Sequence, residues 1–178
     1  MASASPPQPS IRVLVDDLAF VEADAVVRPA DEALDPASTA AARLDQLAGP
    51  GFAAQRRVAH PLEAGAAVVT GAGALTAGLV LHVVVRTREQ PVARDTLRRG
   101  LASAWHRAVE WGLPRLAAPL LGAGPGQLGA EEAAGLMAET FLAHGGRAGW
   151  PTELRIVVER EDERELVAAV LRRHGMPA

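Results

Sequence analysis

Apolar positions in this chain gather into short runs broken by charged or glycine-rich stretches, and each run has either the length of a strand or the spacing of a helix. Ile11 to Val15 reads as a first strand ending at Asp16 and Asp17. Ala25 to Val27 with its flanks reads as a second, apolar on both faces as buried strands of a parallel sheet are. Gly65 to Thr70 and Leu79 to Val85 read as two more, joined by a turn that carries Gly71, Gly73 and Gly78. Leu116 to Leu121 and Leu154 to Val158 complete the strands. Helical spacing predicts helices over Thr39 to Leu47, Asp95 to Trp111, Ala130 to His144 and Arg164 to Arg173, with Gly49, Gly112, Gly145 and Gly175 at their stops. Strands come first and helix and strand then alternate, so the expected class is an α/β sandwich with a mixed sheet.

The composition changes this picture little. With 178 residues, 49% hydrophobic and 22% charged, the chain is long enough for one well-buried core, and a single domain from residue 11 to 178 is expected. Met1 to Ser10 is polar and proline-rich, which predicts a disordered tail and no signal peptide. No run reaches the roughly 20 apolar residues of a membrane span, so the expectation is a cytoplasmic protein with no membrane partner. A formal net charge of −3 gives no basic footprint and speaks against direct nucleic-acid binding. There is no cysteine, which removes disulfides and thiolate chemistry, and the five histidines show no metal-ligand spacing. No metal or cofactor is therefore expected. All 18 basic residues are arginine, a skew that GC-rich coding explains.

Chemistry enters at residues 116 to 134, where an apolar strand empties into glycines and then into an alanine- and glutamate-rich helix. Gly122, Gly124 and Gly126 remove Cβ atoms where a backbone must approach a ligand closely. The helix that follows presents free N–H groups and a positive dipole end, so strand, loop and helix together make an anion cradle. Gly124, Gly126 and Gly129 also satisfy the letters of a dinucleotide-binding turn. That motif belongs to the first strand of its unit and needs a later acidic partner, and here only one strand candidate follows. Other clusters are weaker. His82 reads as a satisfied strand histidine, His106 and Glu110 as a surface pair, Trp105 and Trp111 as packing residues, and Glu159 to Glu165 as a solvated turn and helix start.

The pattern from Ile11 to Val158 resembles the macro domain family. Val15-Asp16-Asp17-Leu18 stands where that family has a Gly-Asp-Ile-Thr-like turn, and Val27-Arg28-Pro29-Ala30-Asp31 falls in register with its Val-Asn-Ala-Ala-Asn strand. Gly65 to Thr70 is similar to its Gly-Glu-Ala-Val-x-Thr segment, and Val80-Leu81-His82 to its Val-Ile-His strand. Pro119-Leu120-Leu121-Gly122-Ala123-Gly124 is similar to its Pro-x-Leu-Gly-Thr-Gly phosphate loop. The resemblance implies a three-layer α/β/α sandwich with a mixed, mostly parallel sheet. It also implies a ligand, ADP-ribose or an ADP-ribosylated macromolecule. Asp17 would accept from the exocyclic amine of adenine, with the amide of Leu18 also on the base, because an acceptor-only group selects an amine over a carbonyl.

Further ligand contacts implied are Asp31 and Val158, then Ser38, Thr39 and Ala40 of the first loop. From the second loop come Gly122, Ala123, Gly124 and Pro125, continuing through Gly126, Gln127 and Leu128. The departures fall on the distal ribose and diphosphate side. The family's two asparagines become Arg28 and Asp31, its Gly-Gly-Gly-Val loop becomes Ala37-Ser38-Thr39-Ala40, and Gln127 replaces a glycine. Ser38 and Thr39 read first as a helix cap and second as phosphate donors. Asp31 cannot donate as an amide does, which argues for a binding module whose hydrolase site has degenerated. The alternatives are an ADP-ribosyl hydrolase using Asp31 or Asp35 as the base, and a scaffold without ligand.

Overall fold

The computed structural model describes residues 8–177. The order is β1 (Ser10–Val15), β2 (Ala25–Ala30), α1 (Thr39–Ala48), α2 (Phe52–Gln55), β3 (Ala67–Gly71), β4 (Leu79–Val84), α3 (Arg94–Glu110), β5 (Arg115–Ala118), α4 (Ala130–Leu142), β6 (Glu153–Val158) and α5 (Glu161–Arg173). The strands form one sheet in the order β1-β6-β5-β2-β4-β3. Among the described strands only β3 runs antiparallel, against β4, so the sheet is mixed and mostly parallel.

Alternation along each strand sends one set of side chains to each layer. Val27, Leu81, Leu116 and Ile156 lie in the larger core with Leu101 and Trp105 of α3, Phe141 of α4 and Leu171 of α5. Trp105 is fully buried, meets Phe141 edge-on at 5.3 Å and donates its indole N–H to Thr140 Oγ1 at 2.9 Å. On the opposite face Val26, Ala117 and Val157 meet Leu44 of α1, and Val80 meets Phe52 of α2. Helices on both faces of the sheet make the three-layer α/β/α sandwich expected from the sequence.

Several boundaries differ from the sequence reading. Of the expected tail, residues 1–7 lie outside the described residues, whereas Pro9 is buried and Ser10 already pairs in β1. β2 runs three residues past Val27 through Pro29, a residue that central strands normally exclude. It is tolerated because β5 pairs only with Ala25 and Val26, so the missing N–H falls where the ladder on that side has ended. β5 stops at Ala118 and leaves Pro119 to Leu121 in the following loop. Trp111, expected to pack, is 54% exposed at the end of α3. Glu110 pairs with Arg107 at 2.7 Å, while His106 hydrogen-bonds the carbonyl of Ala102.

Candidate functional site

The five parallel strands end at one edge of the sheet, so the turns that follow them converge. After β2 the chain passes to α1 on one face, and after β5 it passes to α4 on the other. Such a divergence opens a crevice beyond the carboxyl ends of the strands. It has two lobes, of about 560 and 580 Å³, that share Ala40, Pro119, Val157, Val158 and Glu159.

The first lobe is built on the turn after β1. Asp17 Oδ2 accepts from a guanidinium N–H of Arg43 at 2.6 Å, and its Oδ1 accepts from the amide of Ala19 at 3.1 Å. The Arg43 hydrogen bond, outweighing partial burial, holds the Asp17 carboxyl below the usual carboxylate range. The group is therefore an obligate acceptor near neutral pH. The amide of Asp17 is taken by Asp16 Oδ1 at 2.7 Å, whereas the amide of Leu18 has no hydrogen-bond partner among the described residues. Leu18, Val15 and Leu44 supply the apolar wall.

The second lobe lies between the starts of α1 and α4. Ser38 caps α1, its Oγ accepting from the amide of Ala41 at 3.1 Å. The amides of Thr39 and Ala40, as helix-start donors, have no hydrogen-bond partner among the described residues, and both residues line the lobe. Opposite stand Ala123, Gly124 and Pro125, with Ala130 opening α4. Gly124 has φ +144°, a region that L side chains rarely adopt. Its amide and that of Gly126 carry no backbone hydrogen bond among the described residues.

Not every residue expected here arrives. Gly122 turns inward, where a Cβ would come within 2.7 Å of Leu97, so this glycine serves the packing of α3. Gly126, Gln127 and Leu128 do not line the crevice. Gln127 instead ties the two loops together by donating Nε2 to the carbonyl of Ala37 at 3.0 Å, and Leu128 closes the second loop onto the carbonyl of Gly122. Asp31 lies outside as well, in an adjoining depression with Glu32 and Asp35. Its Oδ1 accepts from the amides of Ala33 and Asp35 at 2.9 and 3.0 Å, so the carboxylate is bent back to hold its own turn.

Arg28, matched by the sequence to an asparagine on the distal side of the ligand, points the other way. It is fully buried beneath α1, because neighbours along a strand face opposite layers. Its guanidinium makes a two-pronged pair with Asp45 at 2.7 and 2.6 Å, donates to the carbonyl of Leu34 at 2.9 Å and sits over the ring of Phe52. Arg28 also faces Nδ1 of His82 at 3.2 Å, and Nε2 of His82 lies 2.7 Å from Thr70 Oγ1. Since arginine only donates, Nδ1 must accept and Nε2–H must donate, which fixes a neutral ring. Burial first, then the charges of Arg28 and Arg56, push the His82 pKa down to about 3.

A family model for the macro domain matches residues 27–137. The chain belongs to the macro domain family. An uncharacterized protein of Aeropyrum pernix is 31% identical to this macro domain over 157 residues, which cover 85% of this chain and 80% of that protein. An uncharacterized Mycobacterium tuberculosis protein is 28% identical over 128 residues, which cover 72% of this chain but only 36% of its own length. A variant Oceanobacillus iheyensis macrodomain solved with ADPR has a TM-score of 0.83 at 15% identity, with 94% of each chain covered.

Among the residues lining this macro domain's crevice that sequence reasoning did not name as ligand contacts are Arg43, Arg86, Pro119 and Glu159. Three of them lie within two residues of the carboxyl end of a parallel strand, which was the available signal. Pro119 follows β5, Glu159 follows β6, and Arg86 lies two residues past β4. Arg43 is one turn into α1 from Thr39 and shares its face at i+4.

Proposed function

We propose that this macro domain is a binding module for ADP-ribose or a related adenosine diphosphate. The observation that carries the reading is the division of labour along one crevice. An ionised acceptor, Asp17, stands at one end, and unpaired backbone donors from two helix starts and a glycine loop stand at the other. Adenine fits the first lobe, its amine donating to Asp17 and its ring nitrogen accepting from the amide of Leu18. The diphosphate fits the second, on the amides of Thr39, Ala40 and Gly124, which face the anion without a reorganisation cost. The ligand of the Oceanobacillus relative, ADPR, has this chemistry.

In this reading the site binds and does not cleave. Asp31 is occupied by two amides outside the crevice, and Asp35 pairs with Arg56 at 2.7 Å, so neither is poised as a base over a bound ligand. Calorimetric titration with ADP-ribose, ADP, AMP and NAD tests the binding. Saturable binding of the diphosphates is expected, and a folded protein that bound none of them would be a scaffold without ligand. Incubation with mono-ADP-ribosylated protein is expected to release no ADP-ribose; release abolished by Asp31→Ala would instead establish a hydrolase.

A further inference from the structure

We infer that Arg86 is a specificity-determining residue that selects a nucleoside diphosphate with a free terminal phosphate over ADP-ribose, an inference that rests on the adenosine diphosphate reading of the crevice. Arg86 is half-buried at the wall between the second lobe and the adjoining depression, and it lines both. Three carboxylates share that depression with it, and each is engaged elsewhere. Asp31 accepts from backbone amides, Glu32 accepts from the amide of Arg88 at 2.6 Å, and Asp35 pairs with Arg56. Arg86 itself makes no hydrogen bond or ion pair among the described residues, and among the described residues that line the phosphate lobe it is the one cation, with Glu159 and Glu163 as the carboxylates.

The chemistry of the two ligands differs at that end. In ADP-ribose the second phosphate carries one anhydride link and one ester to a neutral sugar, which leaves it a single charge. In ADP the same phosphate is the terminal group of the anhydride, with no ester, a second ionisation at about pH 6 and three terminal oxygens. A planar guanidinium can pair two of those oxygens at once, and such charge-assisted pairs are the stronger hydrogen bonds. Among the described residues no side-chain amide lines the crevice to hold a distal ribose, since Gln127 bridges the loops. The neighbouring carboxylates sharpen the choice. With Arg86 present a terminal phosphate meets a cation; with Arg86 removed the charged side chains that line the lobe are the carboxylates of Glu159 and Glu163.

The test is calorimetry of the full chain with ADP, ADP-ribose and AMP in metal-free buffer, repeated on Arg86→Gln and Arg86→Lys. The parent is expected to bind ADP roughly tenfold or more tightly than ADP-ribose. Arg86→Gln is expected to lower ADP affinity roughly 10- to 100-fold while changing AMP little, since the phosphate of AMP ends short of residue 86. Arg86→Lys should recover part of the ADP affinity through charge without the two-pronged geometry. A parent that prefers ADP-ribose, or an Arg86→Gln protein that loses ADP and ADP-ribose by the same factor, overturns the inference and leaves the crevice reading intact. A folded parent that binds no adenine nucleotide overturns the crevice reading and this inference with it.

Discussion

Gly124 and Asp17 mark the two ends of the crevice, and their replacement should give different signatures. A Cβ at Gly124 would meet nothing closer than Gln127 Oε1 at 3.7 Å, so the protein has room for it, but at φ +144° a β-branched residue is strained. Gly124→Val should therefore keep the fold, displace the amide from its anion-facing position and weaken ADP and ADP-ribose alike. Equal affinity in the folded variant would remove the glycine loop from the site. Asp17→Ala removes one charge-assisted acceptor, about 1.5 to 3 kcal/mol of binding. Its loss should fall on adenine and spare hypoxanthine, so the ratio of ADP to IDP affinity is the measurement. The Asp17 pair with Arg43 is largely solvated and adds little to stability, which leaves the carboxylate free to exchange Arg43 for a base.

At the scale of elements, the loop from β2 to α1 is positioned from below. Leu34 is buried with φ +63°, a conformation costing about 1 to 3 kcal/mol for a residue with a side chain. Its carbonyl is held by both Arg28 and Arg56, each at 2.9 Å. Those arginines converge on Asp45, whose carboxylate is the counter-charge of the whole cluster. Asp45→Ala would leave the buried Arg28 unpaired and should cost about 3 to 5 kcal/mol in chemical denaturation, whereas Arg28→Met with Asp45→Leu should recover most of that loss. If the single and double variants are equally destabilised, packing and not charge is what Asp45 supplies. Gln127 adds the second constraint, since its bond to Ala37 makes the two phosphate-facing loops one unit.

For the molecule as a whole, His82 sets a dependence of stability on acid. Its folded pKa of about 3 lies below the ordinary value of 6.5, so as pH falls the unfolded chain takes up a proton before the folded one does. Stability is fully present above about pH 6.5 and is lost as pH falls toward 3, at up to about 1.4 kcal/mol per pH unit. Urea midpoints between pH 7.5 and 4.5 should show this slope, and His82→Gln should flatten it. A parent whose midpoint is unchanged over that range would mean that the ring is charged in the folded state. Among the described residues no helix is long and apolar enough to cross a membrane.

Local order was legible from the sequence because strand and helix periods and glycine stops are properties of neighbouring residues. Thus β1, β4, β6 and the four longer helices fall within a few residues of where the apolar pattern puts them. The Pro119 to Gly124 match placed the glycine loop after β5, and the turn at Asp17 was placed after β1, because both rest on spacing along one chain. Which side of a strand a residue faces, and which of two adjoining hollows a turn opens into, depends on partners distant in sequence. Arg28 stands in the sequence at a position matched to the distal side of the ligand, and only Asp45 and His82, 17 and 54 positions away, show what it is buried against. Gly122 and Gly124 are two positions apart in one loop, yet the side chain of Leu97 makes the first a packing residue and leaves the second to line the crevice. Asp31 bends back onto amides of its own turn, and Arg86 reaches the phosphate lobe from β4, because the sheet order sets β4 beside β2. Sequence spacing determined which groups the chain carries to the carboxyl edge of the sheet, and tertiary packing decided which of them are left without a partner there.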